Sequence, residues 1–396
     1  MHVLHLIDGA SAQACATTLA MLADAMGRLG DIRQSVVLLG GEPLTRMARD
    51  VGVEPIKTLG VPNTSAPLGL FGFQHYVRAT GLRDMVTHVH CWSIGAFSLA
   101  SFVFRDRDRL LTLTSEPAPG YVRWLRVLCG ERGGQRGRPV VLPVSSTIRR
   151  AVLSGGVPEG LVHVLRPGID HSRIVFGDRE PLRNQWRITG ANHKVIALLS
   201  DPPATADAIE SLLAVEMAQL ARDDHNEAGP ISLLVHPRQR ALVRAKVRMR
   251  ETLLPHLLIP DDRVEQPWRV LPGCDLALAP APHGGGLSLL WAMAANVPIV
   301  AGATYAVSEI VEDRHSALLT KPGQTHALGH RITQCLADER LTWKLRDTAR
   351  HEAFSFFSRQ RYCQSMQTVY EQLASGTPVE VPDLEITGGL RFTGRA

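Results

Sequence analysis

The stretch His283-Gly284-Gly285-Gly286-Leu287-Ser288-Leu289-Leu290-Trp291-Ala292-Met293-Ala294-Ala295-Asn296-Val297-Pro298-Ile299-Val300 decides how the chain is read. It is a glycine loop, then a helical run opening near Leu287, then a buried strand. Three consecutive glycines let a backbone approach a ligand closely, because no Cβ stands in the way. A helix that begins there aims its first N–H groups and its positive dipole end back into the loop, which suits an anion such as a phosphate.

Working outward, apolar strands alternate with segments of helical period, the pattern of parallel sheets covered by helices on both faces. Strands are expected at Val3–Ile7, Val36–Leu39, Val86–Val89, Leu110–Leu113 and Val140–Val144. Ser145 or Ser146 caps the helix after the last of these, and Gly155 and Gly156 end it. A polar stretch over 171–193 reads as a connector. A second series then follows, at Val195–Leu199, Ile231–Val235, Leu276–Ala279 and Pro298–Ala301. The expected division is a first Rossmann-like domain over 1–170 and a second over 194–352. Beyond Ser375 the Pro/Gly-rich end has no helical period, so 376–396 reads as a flexible tail.

With 396 residues, 45% of them hydrophobic and 20% charged, the chain can build two or three domains with their own cores. Cys15, Cys91, Cys129, Cys274, Cys335 and Cys363 are scattered without a Cys-x-x-Cys pair, which points away from a zinc site or a disulfide framework and toward a reducing, cytoplasmic setting. No apolar run is long enough for a bilayer span, and the first residues lack the basic start of a signal peptide. The formal charge of +5 is too small an excess to imply nucleic-acid binding. Its distribution is uneven: Arg105, Arg107, Arg109, Arg123, Arg126, Arg132, Arg136 and Arg138 crowd one stretch. Two readings stand for them, a solvated surface or a peripheral contact with acidic lipid at the inner face of the membrane.

Several short motifs fall in one order: Val3-Leu4-His5-Leu6-Ile7-Asp8, His88-Val89-His90, Val144-Ser145-Ser146, Leu165-Arg166-Pro167-Gly168-Ile169-Asp170, Cys274-Asp275-Leu276-Ala277-Leu278-Ala279-Pro280, and Glu309-Ile310-Val311-Glu312-Asp313 before Leu318-Leu319. Together with the glycine stretch they resemble the glycosyltransferase family 4 proteins. The resemblance implies an α/β, GT-B fold: two Rossmann-like doubly wound parallel-sheet domains with an interdomain cleft, and a closing helix, here over 353–375, crossing back to the first domain. It implies retaining transfer of a sugar from a nucleotide-diphosphate sugar to a glycan, lipid-linked or small-molecule acceptor. No metal and no cofactor is implied beyond the nucleotide sugar as co-substrate.

Carried over residue by residue, the resemblance places Gly284, Gly285, Gly286 and Leu287 at the diphosphate, His283 at the donor sugar, Glu309 on the nucleotide side, and His90 or Thr114 toward the acceptor. Alternative readings stand beside these. His90 at a strand end also reads as a structural histidine, Glu309 as a carboxylate in the first turn of a helix, and Gly284 to Gly286 as a tight turn needing positive φ.

The family's charged groups are replaced. The glutamate that opens the loop is His283 and the one eight residues later is Trp291, which offers only an N–H donor and reads as packing. The loops Gly9-Ala10-Ser11-Ala12-Gln13-Ala14 and Leu199-Ser200-Asp201-Pro202-Pro203-Ala204 lack the family's glycine pair and its arginine and lysine. Departure of a nucleoside diphosphate builds charge on phosphate oxygens, so missing cations raise the barrier. The alternative is therefore a catalytically inactive relative acting as a binding, regulatory or scaffold protein. A sugar-nucleotide epimerase shares the architecture, but no acid/base pair for it is evident.

Overall fold

The computed structural model describes residues 1–9, 16–28, 32–60, 67–130, 137–188, 190, 192–200, 205–224, 229–240, 258–280 and 286–381. Among them the strands form two six-stranded parallel sheets. The first comprises β1 (His2–Asp8), β2 (Arg33–Leu39), β3 (Lys57–Leu59), β4 (His88–Cys91), β5 (Asp108–Leu113) and β6 (Pro139–Pro143), in the order β3-β2-β1-β4-β5-β6. The second comprises β7 (Lys194–Leu198), β8 (Ile231–Val235), β9 (Leu258–Pro260), β10 (Leu276–Ala279), β11 (Ile299–Gly302) and β12 (Leu318–Thr320), in the order β12-β11-β10-β7-β8-β9. Each winds outward both ways from its first strand. The order therefore reverses between β1 and β4 and between β7 and β10, where open α/β sheets bind ligands beyond the strands' carboxyl ends.

Central strands buried on both faces read as nearly unbroken apolar runs, which is why they are visible in sequence. All seven residues of β1 and all five of β8 are buried. The strands that the periodicity misses, β3, β9 and β12, are three-residue edge strands. Lys57-Thr58-Leu59 is half exposed and Leu258-Ile259-Pro260 ends in a proline, which an edge tolerates.

The chain divides into two compact units, Met1–Ile169 with Arg359–Leu384, and Asp170–Ser358. In the first, the helix Arg359–Ser375 buries Tyr362, Cys363, Met366, Val369, Tyr370 and Leu373, one stripe of helical period. Its end is held by Arg138, whose guanidinium donates to the carbonyls of Leu373, Gly376 and Thr377 at 3.1, 3.1 and 2.9 Å. A cation there also complements the helix dipole. Arg109 is likewise structural: it is buried and donates to the carbonyls of Phe104, Arg105 and Gly137. Two of the crowded arginines thus hold the chain within this unit, Arg109 from its interior and Arg138 from its surface.

The second unit packs Ile196, Leu198, Leu212, Val215, Leu233, Leu276 and Leu278 around its sheet. Residues 171–193, expected as an irregular connector, carry the helix Arg179–Gln185, which docks on this unit. Arg179 and Arg183 donate to the two oxygens of Asp275 at 2.7 and 3.0 Å, and the Asp275 carboxylate also accepts from the backbone of Val195 at 2.7 Å.

Candidate functional site

In the second unit the candidate site forms where β7 and β10 part. Gly286 precedes the helix Leu287–Ala294 with φ +73° and ψ +23°, a left-handed conformation. The left-handed turn favours glycine, and a Cβ here would stand 2.5 Å from Ile310 Cδ1, so that side-chain end would have to shift. All eight residues of the helix are buried, Leu287 included. Burial on all sides holds this helix in a fixed frame. His283, Gly284 and Gly285 lie outside the described residues, as do 10–15 and 201–204.

Trp291 is 2% exposed, and its ring centroid lies 4.6 Å from that of Trp268. The guanidinium of Arg173 sits over Trp268 at 5.9 Å from the ring centroid. The position that holds a carboxylate in the resembling family is thus part of an aromatic interior here.

After β7 the local field is acidic. Ser200 Oγ donates to Asp207 Oδ2 at 2.8 Å, and Asp207 sits in the first turn of the helix Thr205–Asp224. Burial and the Asp207 charge together hold the Glu210 carboxyl above its usual range. Carboxylates already occupy this positive helix end, which leaves the end at Gly286 as the better seat for an added anion.

Glu309 is 8% exposed and follows the last turn of the short helix Tyr305–Ser308, donating its backbone N–H to Tyr305 O at 3.2 Å. The reading of Glu309 as a first-turn carboxylate is therefore corrected: it stands at the opposite end of that helix, where the dipole does not favour it. Beside it, beyond the carboxyl ends of β11 and β12, lies a cavity of about 380 Å³ lined by Ala303, Ser308, Val311, Glu312, Asp313, Leu319, Thr320 and Lys321. Sequence reasoning did not single out Ser308 or Lys321, although both adjoin segments quoted for the resemblance. Among the described residues no group of three His, Cys, Asp or Glu is placed to hold a metal ion.

In the first unit His90 is fully buried. Its Nδ1 lies 2.7 Å from Tyr370 Oη and its Nε2 2.8 Å from Thr112 Oγ1, so both ring nitrogens are engaged within the core. Its ring stacks on Trp92 at 4.8 Å between centroids. Thr114 is 4% exposed and shares a hydrogen bond with Thr18 Oγ1 at 3.2 Å. Of the two readings of His90, the structural histidine matches this environment.

His5, paired across from His90 in the sheet, completes the network. Trp92 Nε1 is a donor only, so His5 Nδ1 accepts from it at 3.2 Å and His5 Nε2–H donates to Gln34 Oε1 at 2.9 Å. Burial pushes the His5 pKa down from 6.5 to about 4, and burial with the neighbouring His5 holds His90 well below the ordinary range. A folded pKa below the unfolded value means that the unfolded chain binds more protons in between. The stabilisation is therefore complete above pH 6.5 and drains away as pH falls toward 4. For His5 alone this amounts to about 3 kcal/mol. Denaturant melts from neutral pH down to about pH 4 should show this decline, with a shallower decline in His5→Gln. Tyr370→Phe, which removes one partner of His90, should cost about 1–3 kcal/mol at neutral pH.

Residues 246–352, a little over a quarter of the chain, match the family model described as "Glycosyl transferases group 1". No curated protein matches the chain. Among solved structures, Anabaena HepE in complex with UDP and glucose superposes with a TM-score of 0.72 at 20% identity, over 95% of this chain and 100% of that one. A glycosyltransferase from Rickettsia africae gives 0.71 at 14% identity, over 95% and 99%. Sucrose-phosphate synthase from Thermosynechococcus elongatus gives 0.70 at 16% identity, over 95% and 100%. At these identities the likeness is one of fold, and the two doubly wound units are GT-B-like.

Proposed function

We propose that the chain binds a nucleotide-diphosphate sugar on its second unit and transfers the sugar, with retention at the anomeric carbon, to a glycan, lipid-linked or small-molecule acceptor. The observation that carries the reading is Gly286, left-handed and closely approached by Ile310, opening a buried helix at the point where the strand order reverses. Backbone N–H groups of the loop and of the Leu287 turn would hold the diphosphate, His283 a sugar hydroxyl, and Glu309 with the neighbouring cavity the nucleoside. The group 1 match over 246–352 and the UDP-bound HepE relative support this direction.

Chemically, charge grows on the departing diphosphate, and the fixed dipoles at Gly286 and Leu287 are aimed to stabilise it without rearrangement. Compared with the resembling family, both glutamates and the paired cations are absent from the corresponding positions, which predicts slow turnover. The burial of Trp291 against Trp268 favours a second reading, a catalytically silent relative that keeps a sugar-nucleotide seat and regulates or scaffolds glycan synthesis. Incubation with UDP-, GDP- and ADP-sugars, followed by NMR, separates the two. Release of sugar with the donor's anomeric configuration indicates a retaining enzyme. Inverted product rejects retention, and saturable binding without any turnover selects the second reading.

A further inference from the structure

We propose that the outer face of the helix Pro119–Cys129 is a docking surface for an anionic lipid bilayer. The helix buries Val122, Leu125 and Cys129 in the first unit. At 3.6 residues per turn, the opposite side then carries Val127, Trp124 and Arg123, flanked by Tyr121 on one edge and Arg126 on the other. These residues do point outward: Tyr121 is 55%, Trp124 39% and Val127 62% exposed, and both arginines are exposed.

The contacts place the two edges. Trp124 Nε1 donates to Ser98 Oγ at 3.0 Å, which sets the aromatic edge against the helix Ile94–Val103. Phe102, one turn beyond Ser98 on that helix, is 43% exposed and extends the apolar surface. On the other edge, the Arg126 side chain lies against the turn at Gly156. The result is an apolar and aromatic strip with a cationic border, built on a helix that the core holds rigid.

Tryptophan and tyrosine favour the level of the headgroups, valine and phenylalanine the acyl boundary, and arginine the lipid phosphates. Because no helix among the described residues is long and apolar enough to cross a membrane, such contact is peripheral. A second copy of the chain is a poorer occupant. A two-fold interface would set this face against itself and bring Arg123 and Arg126 toward their own counterparts. The inference is independent of sugar transfer, since it uses none of the residues of the proposed donor site.

The full chain is to be co-sedimented with vesicles of phosphatidylcholine alone and with vesicles containing phosphatidylglycerol. The expected result is binding to the anionic vesicles only, weakening as salt is raised. R123E with R126E should weaken that binding about 30-fold or more. Y121S with V127S should weaken it about tenfold, with the thermal melt unchanged. The proposal is overturned by equal binding to neutral vesicles, by no binding to either, or by variants that bind like the wild type. It is equally overturned if sedimentation velocity shows a dimer dissolved by these substitutions while vesicles go unbound.

Discussion

Trp291→Glu is expected to unfold the second unit rather than to restore a donor-site carboxylate. By sequence position the substitution looks like a repair. Structurally, it removes a 2% exposed ring packed on Trp268 and puts an ionisable group among the eight buried residues of its helix. Loss of a buried tryptophan costs about 3–5 kcal/mol, and burying a carboxyl without partners adds to that. The sum approaches the whole stability of a typical domain, about 5–15 kcal/mol. Trp291→Phe keeps an aromatic ring and should lose only part of it. Denaturant melts of the two variants provide the check. A Trp291→Glu protein that melts like the wild type would show that this position is open to solvent and that the aromatic interior is misassigned. Substitution of His283 alone by glutamate is the sounder route to restoring a donor contact.

Gly286→Val should be nearly as damaging, for a different reason. A β-branched residue at φ +73° pays a steric penalty of about 1–2 kcal/mol or more, and its Cβ would meet Ile310 Cδ1 at 2.5 Å. Overpacking typically adds about 1–3 kcal/mol. Displacing the loop to relieve the clash also tilts the helix end that the diphosphate would need. Gly286→Ala, with less bulk, should retain the fold at lower stability and bind nucleotide sugar at least tenfold more weakly. Calorimetry on Gly286→Ala alongside its melt distinguishes lost binding from lost folding. Unchanged affinity in a folded Gly286→Ala protein would remove Gly286 from the site.

Much of this architecture is legible in sequence because buried parallel strands repeat a simple signal. Val3–Ile7, Ile231–Val235 and Leu276–Ala279 are apolar almost throughout, as a strand covered on both faces must be. β3, β9 and β12 escape notice because edge strands of three residues need no such run. The glycine stretch is legible for the same kind of reason: the left-handed turn at Gly286 leaves little choice of residue.

Polar residues are harder to read, because their roles depend on partners far along the chain. His90 bonds Tyr370, 280 residues away, so its place in a core network has no local signature. Arg109 looks like a member of a surface cluster until its buried carbonyl partners are seen. Glu309 sits after a four-residue helix, too short for periodicity to show which end it occupies. Tyr121, Trp124 and Val127 face outward, while Val122, Leu125 and Cys129 of the same helix turn inward.

On the proposed function, the second unit holds a nucleotide-diphosphate sugar at the Gly286 turn. Isothermal titration of UDP-glucose, GDP-mannose and ADP-glucose into the full chain, repeated with Gly286→Ala, tests it most directly. The wild type should bind at least one of them saturably at one site, with affinity weakened at least tenfold by the substitution. No heat with any of the three at millimolar concentration, or equal affinity in both proteins, would contradict it.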